Sequence, residues 1–140
     1  MNLSPHFSLE ELTTSQIAAR RGLNNSPSPE ALENLKELSK FLEQLRKLLN
    51  KPIKINSAYR SPEVNKVVGG SVNSQHCKGQ AADIVVPGMT PNQVVEAIVK
   101  SSLPYDQVIR EFDSWTHVSI SVKPRKQALI IDKAGTRPYK

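Results

Sequence analysis

The hydrophobic period of this chain changes once, near Lys51, and that change limits what the chain can fold into. Before it, Leu32, Leu35, Leu38, Leu42, Leu45 and Leu49 recur at three- and four-residue steps, which puts one apolar stripe along a long helix. Ser28 stands where it can cap that helix, and Pro29 falls in the first turn, where a missing amide costs nothing. The stripe is a core-facing surface rather than a coiled-coil seam. After Lys51 the apolar runs shorten, and PIKIN, AADIVV, QVIREF, WTHVSISV and QALIID read as strands.

Shorter signals fill in the rest. Ser8-Leu9-Glu10-Glu11 has the form of a capping box, SQIAARRG reads as a second helix ending at Gly22, and NNSPSP is a turn-rich connector. SPEVNKVV, with Ser61 before Pro62, predicts a brief helix closed by Gly69-Gly70, and a further helix runs from Thr90-Pro91 to about Ser101. Helices ahead of and between mostly antiparallel strands predict one α+β domain, a sheet with helices packed on one face. At 140 residues a single domain with a real core is the natural size.

Composition narrows the partners. A net charge of +6 and a pI near 9.6 favour an anionic surface such as nucleic acid, a membrane or a bacterial wall. The basic residues are not interleaved with aromatics, so no nucleic-acid stacking platform is indicated, and no nucleic acid is expected as partner. Cys77 is the single cysteine, which excludes an internal disulfide. MNLSPHFSLEE has no cationic start before an apolar run and no stretch could cross a membrane, so synthesis in the cytoplasm without a signal peptide is expected, and a monomer with it.

His76, Asp83 and His117 are the residues that carry chemistry. Catalytic zinc is held by three protein ligands, His or carboxylate, with the fourth position left open. His then Asp seven positions on is a common spacing by itself, and the neighbouring residues are what single it out. In WTHVSISV, alternation sends Thr116, Val118, Ile120 and Val122 to the core and Trp115, His117, Ser119 and Ser121 to the open face. In AADIVV it separates Asp83 and Val85 from Ala82, Ile84 and Val86, so Asp83 can share a face with His117. His76 precedes that strand in a glycine-flanked loop.

SAYRSPEVNKVVGGSVNSQHCKGQAADI followed by REFDSWTHVSIS is similar to the zinc D-Ala-D-Ala carboxypeptidase family, whose members include VanX- and VanY-like peptidases and phage endolysins. The resemblance spans roughly residues 52–122. In the family pattern S-x-H-x-x-G-x-A-x-D supplies two zinc ligands and W-x-H the third, and these positions fall on Ser74, His76, Gly79, Ala81, Asp83, Trp115 and His117. Tyr59-Arg60-Ser61 resembles the segment with the family's active-site arginine. FSLEELTTSQIAARRGLNN resembles the lead-in of phage and prophage members. The resemblance thus implies a zinc peptidase domain over 1–140, with residues 1–50 a helical lead-in and 51–132 the catalytic core, and one Zn2+ per chain.

The family's better-known branches carry an acidic residue three positions before the last histidine, where this chain has Ser114. Glu111 and Asp113 are the remaining candidates for the base that takes a proton from water. With Asp113-Ser114-Trp115 as a three-residue hairpin loop, Glu111 lies directly across from His117, whereas a two-residue loop turns it away. A glutamate six residues before the last histidine also resembles hedgehog-type relatives. Arg60 is suited to the developing oxyanion or to a substrate carboxylate. Tyr59, Ser74 and Gln75 are candidate contacts to the substrate, and Cys77 is read as packing, not as a ligand.

These readings imply a peptidase acting on bacterial peptidoglycan peptides, at a wall it reaches by phage release or as part of a virion. Cleavage within the stem peptide or cross-link is the first expectation, and trimming of a terminal D-Ala the second. A wall-binding module that keeps the metal without turnover is a further alternative, as is a basic nucleic-acid binder.

Overall fold

The computed structural model describes residues 1–139. Five helices and eight strands follow the order β1 (Asn2–Ser4), β2 (Phe7–Ser8), α1 (Leu9–Thr13), α2 (Gln16–Arg21), α3 (Pro29–Leu49), β3 (Lys54–Ser57), α4 (Pro62–Val67), β4 (Ala81–Val85), α5 (Pro91–Val99), β5 (Gln107–Glu111), β6 (Trp115–Ser119), β7 (Gln127–Asp132) and β8 (Gly135–Pro138). A 3-10 turn at Gln75–Lys78 leads into β4.

The helix ends follow from local chemistry. Ser8, Ser15, Ser28 and Ser61 each accept a hydrogen bond from the backbone amide three residues on, at the starts of α1 to α4. Thr90 does the same for Gln93, whose side chain returns to the Thr90 amide, a complete capping box that had not been anticipated. Gly22 closes α2 at φ 64.

Six strands form one sheet in the order β3-β4-β6-β5-β7-β8. Every pairing is antiparallel except β5 with β7. The two ends of the chain also contribute strands that the sequence patterns had not indicated: β1 and β2 pair as a small separate ribbon, and β8 extends the sheet past residue 132.

The core lies between the sheet and α3 and α5. Leu35, Leu38, Leu42 and Leu45 are fully buried against Ala82, Ile84, Val108 and Val118 of the sheet and Val94, Val95 and Ile98 of α5. Burying one leucine is worth roughly 2 kcal/mol, so these four side chains make α3 integral to the domain rather than an appendage. Leu32 and Leu49, at the stripe's ends, are only partly buried.

Alternation holds for β4 and fails at the end of β6. Thr116 and Val118 are buried as anticipated, but β6 stops at Ser119: the Ile120 amide still reaches the Gln80 carbonyl in register at 2.9 Å, while the Gln80 amide goes to the Gln75 carbonyl and does not return the bond. Val122, expected in the core, is 96% exposed in the connection to β7. Ser119, expected on the open face, is buried, with its hydroxyl accepting from the Gln107 amide at 3.0 Å.

Candidate metal centre

Asp83 on β4 and His117 on β6 are direct cross-strand partners, on the sheet face away from α3 and α5. Their side chains meet, with His117 Nδ1 3.0 Å from Asp83 Oδ1. His76 reaches the same point from the 3-10 turn, its Nε2 3.5 Å from Asp83 Oδ2. The rings of His76 and His117 stand edge to face with centroids 5.2 Å apart.

The turn that carries His76 is built to a tight specification. Ser74 Oγ accepts from the His76 amide, and the His76 carbonyl accepts from the Arg60 amide at 3.1 Å. Gly79 closes the turn at φ 74, and a Cβ there would lie 2.5 Å from the Ala31 carbonyl oxygen of α3. Only glycine satisfies both the left-handed backbone and the contact with the helix. The Ala81 and Ala82 side chains are then completely buried as the chain enters β4.

Donor chemistry decides what can sit among these three residues. His76 Nδ1 is 2.6 Å from the Ala58 carbonyl, an acceptor only, so Nδ1 bears the proton and Nε2 presents a lone pair. That lone pair faces the Asp83 carboxylate, an arrangement that a cation between them resolves. One ligand atom from each of His76, Asp83 and His117 lies within 4.8 Å of the others. Two imidazoles and a carboxylate are a donor set that suits zinc and leaves a coordination position open. Burial would raise the Asp83 carboxyl, but the hydrogen bond from His117 Nδ1 outweighs it and holds the group well below the usual carboxylate range.

An open cleft of about 680 Å3 surrounds the three residues, within the size range of small-molecule and peptide sites. Arg60, Ser74, Gln75, Glu111 and Trp115 line it, joined by Gln107, Arg125 and Ile131. Arg60 Nη2 donates to Ser74 Oγ at 3.4 Å, while Arg60 Nε and Trp115 Nε1 are buried donors with no partner among the described residues. Glu111 is pushed above its usual pKa by burial first and by the Asp83 charge second, against the pull of His117, His76 and Arg60.

The register of the β5–β6 hairpin differs by two residues from the one anticipated. The loop is Phe112-Asp113-Ser114, so Glu111 pairs with Trp115, and it is Ile109 that stands across from His117. Phe112 and Asp113 both take left-handed φ, 53 and 51, and the Ser114 amide closes the turn on the Glu111 carbonyl at 2.9 Å. A two-residue slip preserves the face, and Glu111 therefore still lines the cleft, diagonal to His117. Asp113 does not line it; its side chain is 73% exposed and ion-paired with Arg110 at 3.2 Å.

Family membership rests on most of the chain. The family model described as Peptidase M15 matches residues 5–119. The chain belongs to the peptidase M15 family. M15 peptidases are zinc-dependent, and the match makes this chain a metallopeptidase at the family level. A search of curated protein sequences returned no match.

For this M15 peptidase the structure brings seven of the eight singled-out side chains to one cleft: His76, Asp83, His117, Glu111, Arg60, Ser74 and Gln75. Tyr59 is the correction. It is 3% exposed and packs in the core among Leu12 and its neighbours, because the residue before Arg60 faces inward where the chain leaves β3. Gln75 faces the cleft, but its amide nitrogen is engaged by Asp106 Oδ2 at 2.9 Å and the Ile120 carbonyl at 3.2 Å. Cys77 is partly buried with its thiol pushed up by burial, and it stands outside the ligand group. His6 is occupied with Glu43 at 2.8 Å, far along the chain from the cleft residues. Arg125 and Gln107 are cleft residues that sequence reasoning missed, since neither belongs to a recognisable motif.

Proposed function

We propose that this M15 peptidase is a peptidoglycan endopeptidase that uses one zinc ion, held by His76, Asp83 and His117, to cut an amide bond within the stem peptide or its cross-link. The observation that supports this reading best is the cleft itself, which carries Arg60, Ser71 and Asn73 as well as Gln107, Arg125 and Ile131 around the three ligands. A peptide thus finds polar partners beyond the immediate neighbourhood of the scissile bond. The +6 net charge adds attraction to an anionic wall, as suits a lysin of phage or prophage type.

Zinc bound at this point supplies Lewis acidity toward water and the scissile carbonyl. Glu111 accepts the proton of the attacking water and passes it to the leaving amine, a role for which burial beside an open cleft poises a carboxylate. Arg60 offers guanidinium N–H groups to the carbonyl oxygen as negative charge builds on it, with Ser74 steadying the fork. Ala58 orients the His76 ring through its carbonyl at Nδ1, which leaves Nε2 as the nitrogen turned toward Asp83.

Mass spectrometry of the products released from intact sacculi, with and without chelator, tests the proposal. Soluble muropeptides cut within the stem or cross-link, abolished by chelation, are the expected result. Free D-alanine alone with no fall in turbidity identifies a carboxypeptidase, and no product at all refutes the peptidase reading.

A further inference from the structure

Arg125 lies in the connection between β6 and β7, past the segment that matches the family, yet it lines the same cleft as the candidate zinc ligands. Its position is set by Asp106, a carboxylate only 2% exposed. Arg125 Nε donates to Asp106 Oδ1 at 3.0 Å and Nη2 to Oδ2 at 2.6 Å, a two-pronged pairing, and the Arg125 backbone amide adds a third bond to Oδ1 at 2.8 Å. Asp106 also holds Gln75, the residue next to His76. The loop that presents His76 and the guanidinium of Arg125 are therefore tied to one buried group.

This pairing leaves work for the rest of the guanidinium. Two of its five N–H groups are taken by Asp106, and the others have no protein partner among the described residues while the side chain remains 54% exposed. A fork locked from behind loses little freedom when its front edge meets a ligand, which is the condition for strong and selective recognition of a planar anion. A carboxylate is the acceptor that matches such an edge best. Nothing in the proton transfer assigned to Glu111 or the oxyanion contact assigned to Arg60 requires a second arginine in the cleft.

We propose that Arg125, clamped by Asp106, binds a carboxylate of the peptide substrate and so sets which peptides are accepted. The proposal rests on the peptidase reading above. Arg125 is in this account a specificity-determining residue, and Asp106 and Gln75 position it.

The test uses zinc-loaded protein and matched peptides that differ only by carboxylate or carboxamide, in one pair at the C-terminus and in another at an internal branch. The wild type should prefer the carboxylate form of one pair by about tenfold in kcat/KM, carried mainly by KM. The pair that shows the preference identifies which carboxylate is held. Arg125→Gln should erase it. Arg125→Lys, which keeps a cation beside Asp106 and with it the fold, should not restore it. A preference that survives in both variants, or a wild type indifferent to both pairs, overturns the proposal while hydrolysis itself continues. Absence of hydrolysis in every arm is instead a failure of the peptidase reading, and calorimetric titration of the same peptide pairs into wild type and Arg125→Lys then decides the Arg125 question alone.

Discussion

Replacing Asp106 with Asn should make the domain's acid stability less steep, by an amount the structure sets. Hydrogen bonds from the Arg125 side chain, working against burial, hold the Asp106 carboxyl down at about 2, from an ordinary 3.8, with the Arg125 amide and Gln75 assisting. A carboxyl whose pKa is lower folded than unfolded binds fewer protons in the folded state. Its contribution is therefore complete above the unfolded value and is lost as pH falls through the folded one. The window runs from roughly pH 5 down to pH 2, and the depression corresponds to at most about 2.5 kcal/mol. Arg125 is half-exposed and screened by solvent, which reduces the figure to about 1 kcal/mol. Urea denaturation of wild type and Asp106→Asn across that window, both with chelator so that zinc loss does not intrude, gives the difference directly. The stability gap between them should narrow by about 1 kcal/mol on acidification, or roughly 3 °C in Tm for a domain of this size. A gap that stays constant or widens as pH falls refutes the assignment of Asp106 as a native-state anion held by Arg125.

Elemental analysis should find about one zinc per chain in wild type and in His6→Ala, and little in His76→Ala, Asp83→Ala or His117→Ala; loss in His6→Ala counts against the ligand set. Glu111→Gln should keep its zinc and lose about a hundredfold or more in turnover, while Asp113→Asn, altering an exposed ion pair, stays close to wild type. Arg60→Lys should not sustain activity in a steady-state assay, since a point charge on a flexible stem does not reproduce the fork. Gly79→Ala should lose at least about 2 kcal/mol in denaturant melts and much of its zinc, because a left-handed residue is placed against the Ala31 carbonyl on the turn that carries His76; an unchanged melt shows that the turn can shift freely.

What the sequence made legible was whatever is encoded locally. The capped helices, the alternation in β4 and the common face of Asp83 and His117 depend on neighbouring residues, and they were readable for that reason. The exact pairing across the β5–β6 hairpin was not, because it turns on Phe112 accepting a left-handed backbone, which an aromatic residue does not advertise. The inward turn of Tyr59 and the exposure of Val122 depend on where β3 and β6 end, and past those ends the Tyr59 amide bonds the Leu12 carbonyl and the Gln80 amide bonds Gln75 instead of Ile120. Asp106 and Arg125 stand 19 residues apart without a motif between them, so only the folded chain shows them as a pair. β8 consists of exposed residues in a four-residue run, with no apolar alternation to signal it.

The three candidate ligands come from a turn and from two neighbouring strands whose partnership is made only on folding. A slip of β6 by one residue against β4 would turn either Asp83 or His117 toward the helices and dissolve the metal site. A zinc ion held by these three residues would therefore recognise one strand alignment and be blind to the rest, which would make the ion a proofreader of the sheet as well as a reagent. At a thousandfold excess over its Kd a ligand of the native state adds about 4 kcal/mol, comparable to a large part of a small domain's stability. Starving such a chain of metal would then do more than silence it: misaligned and partly opened molecules would no longer be drawn back, and proteases would meet them first.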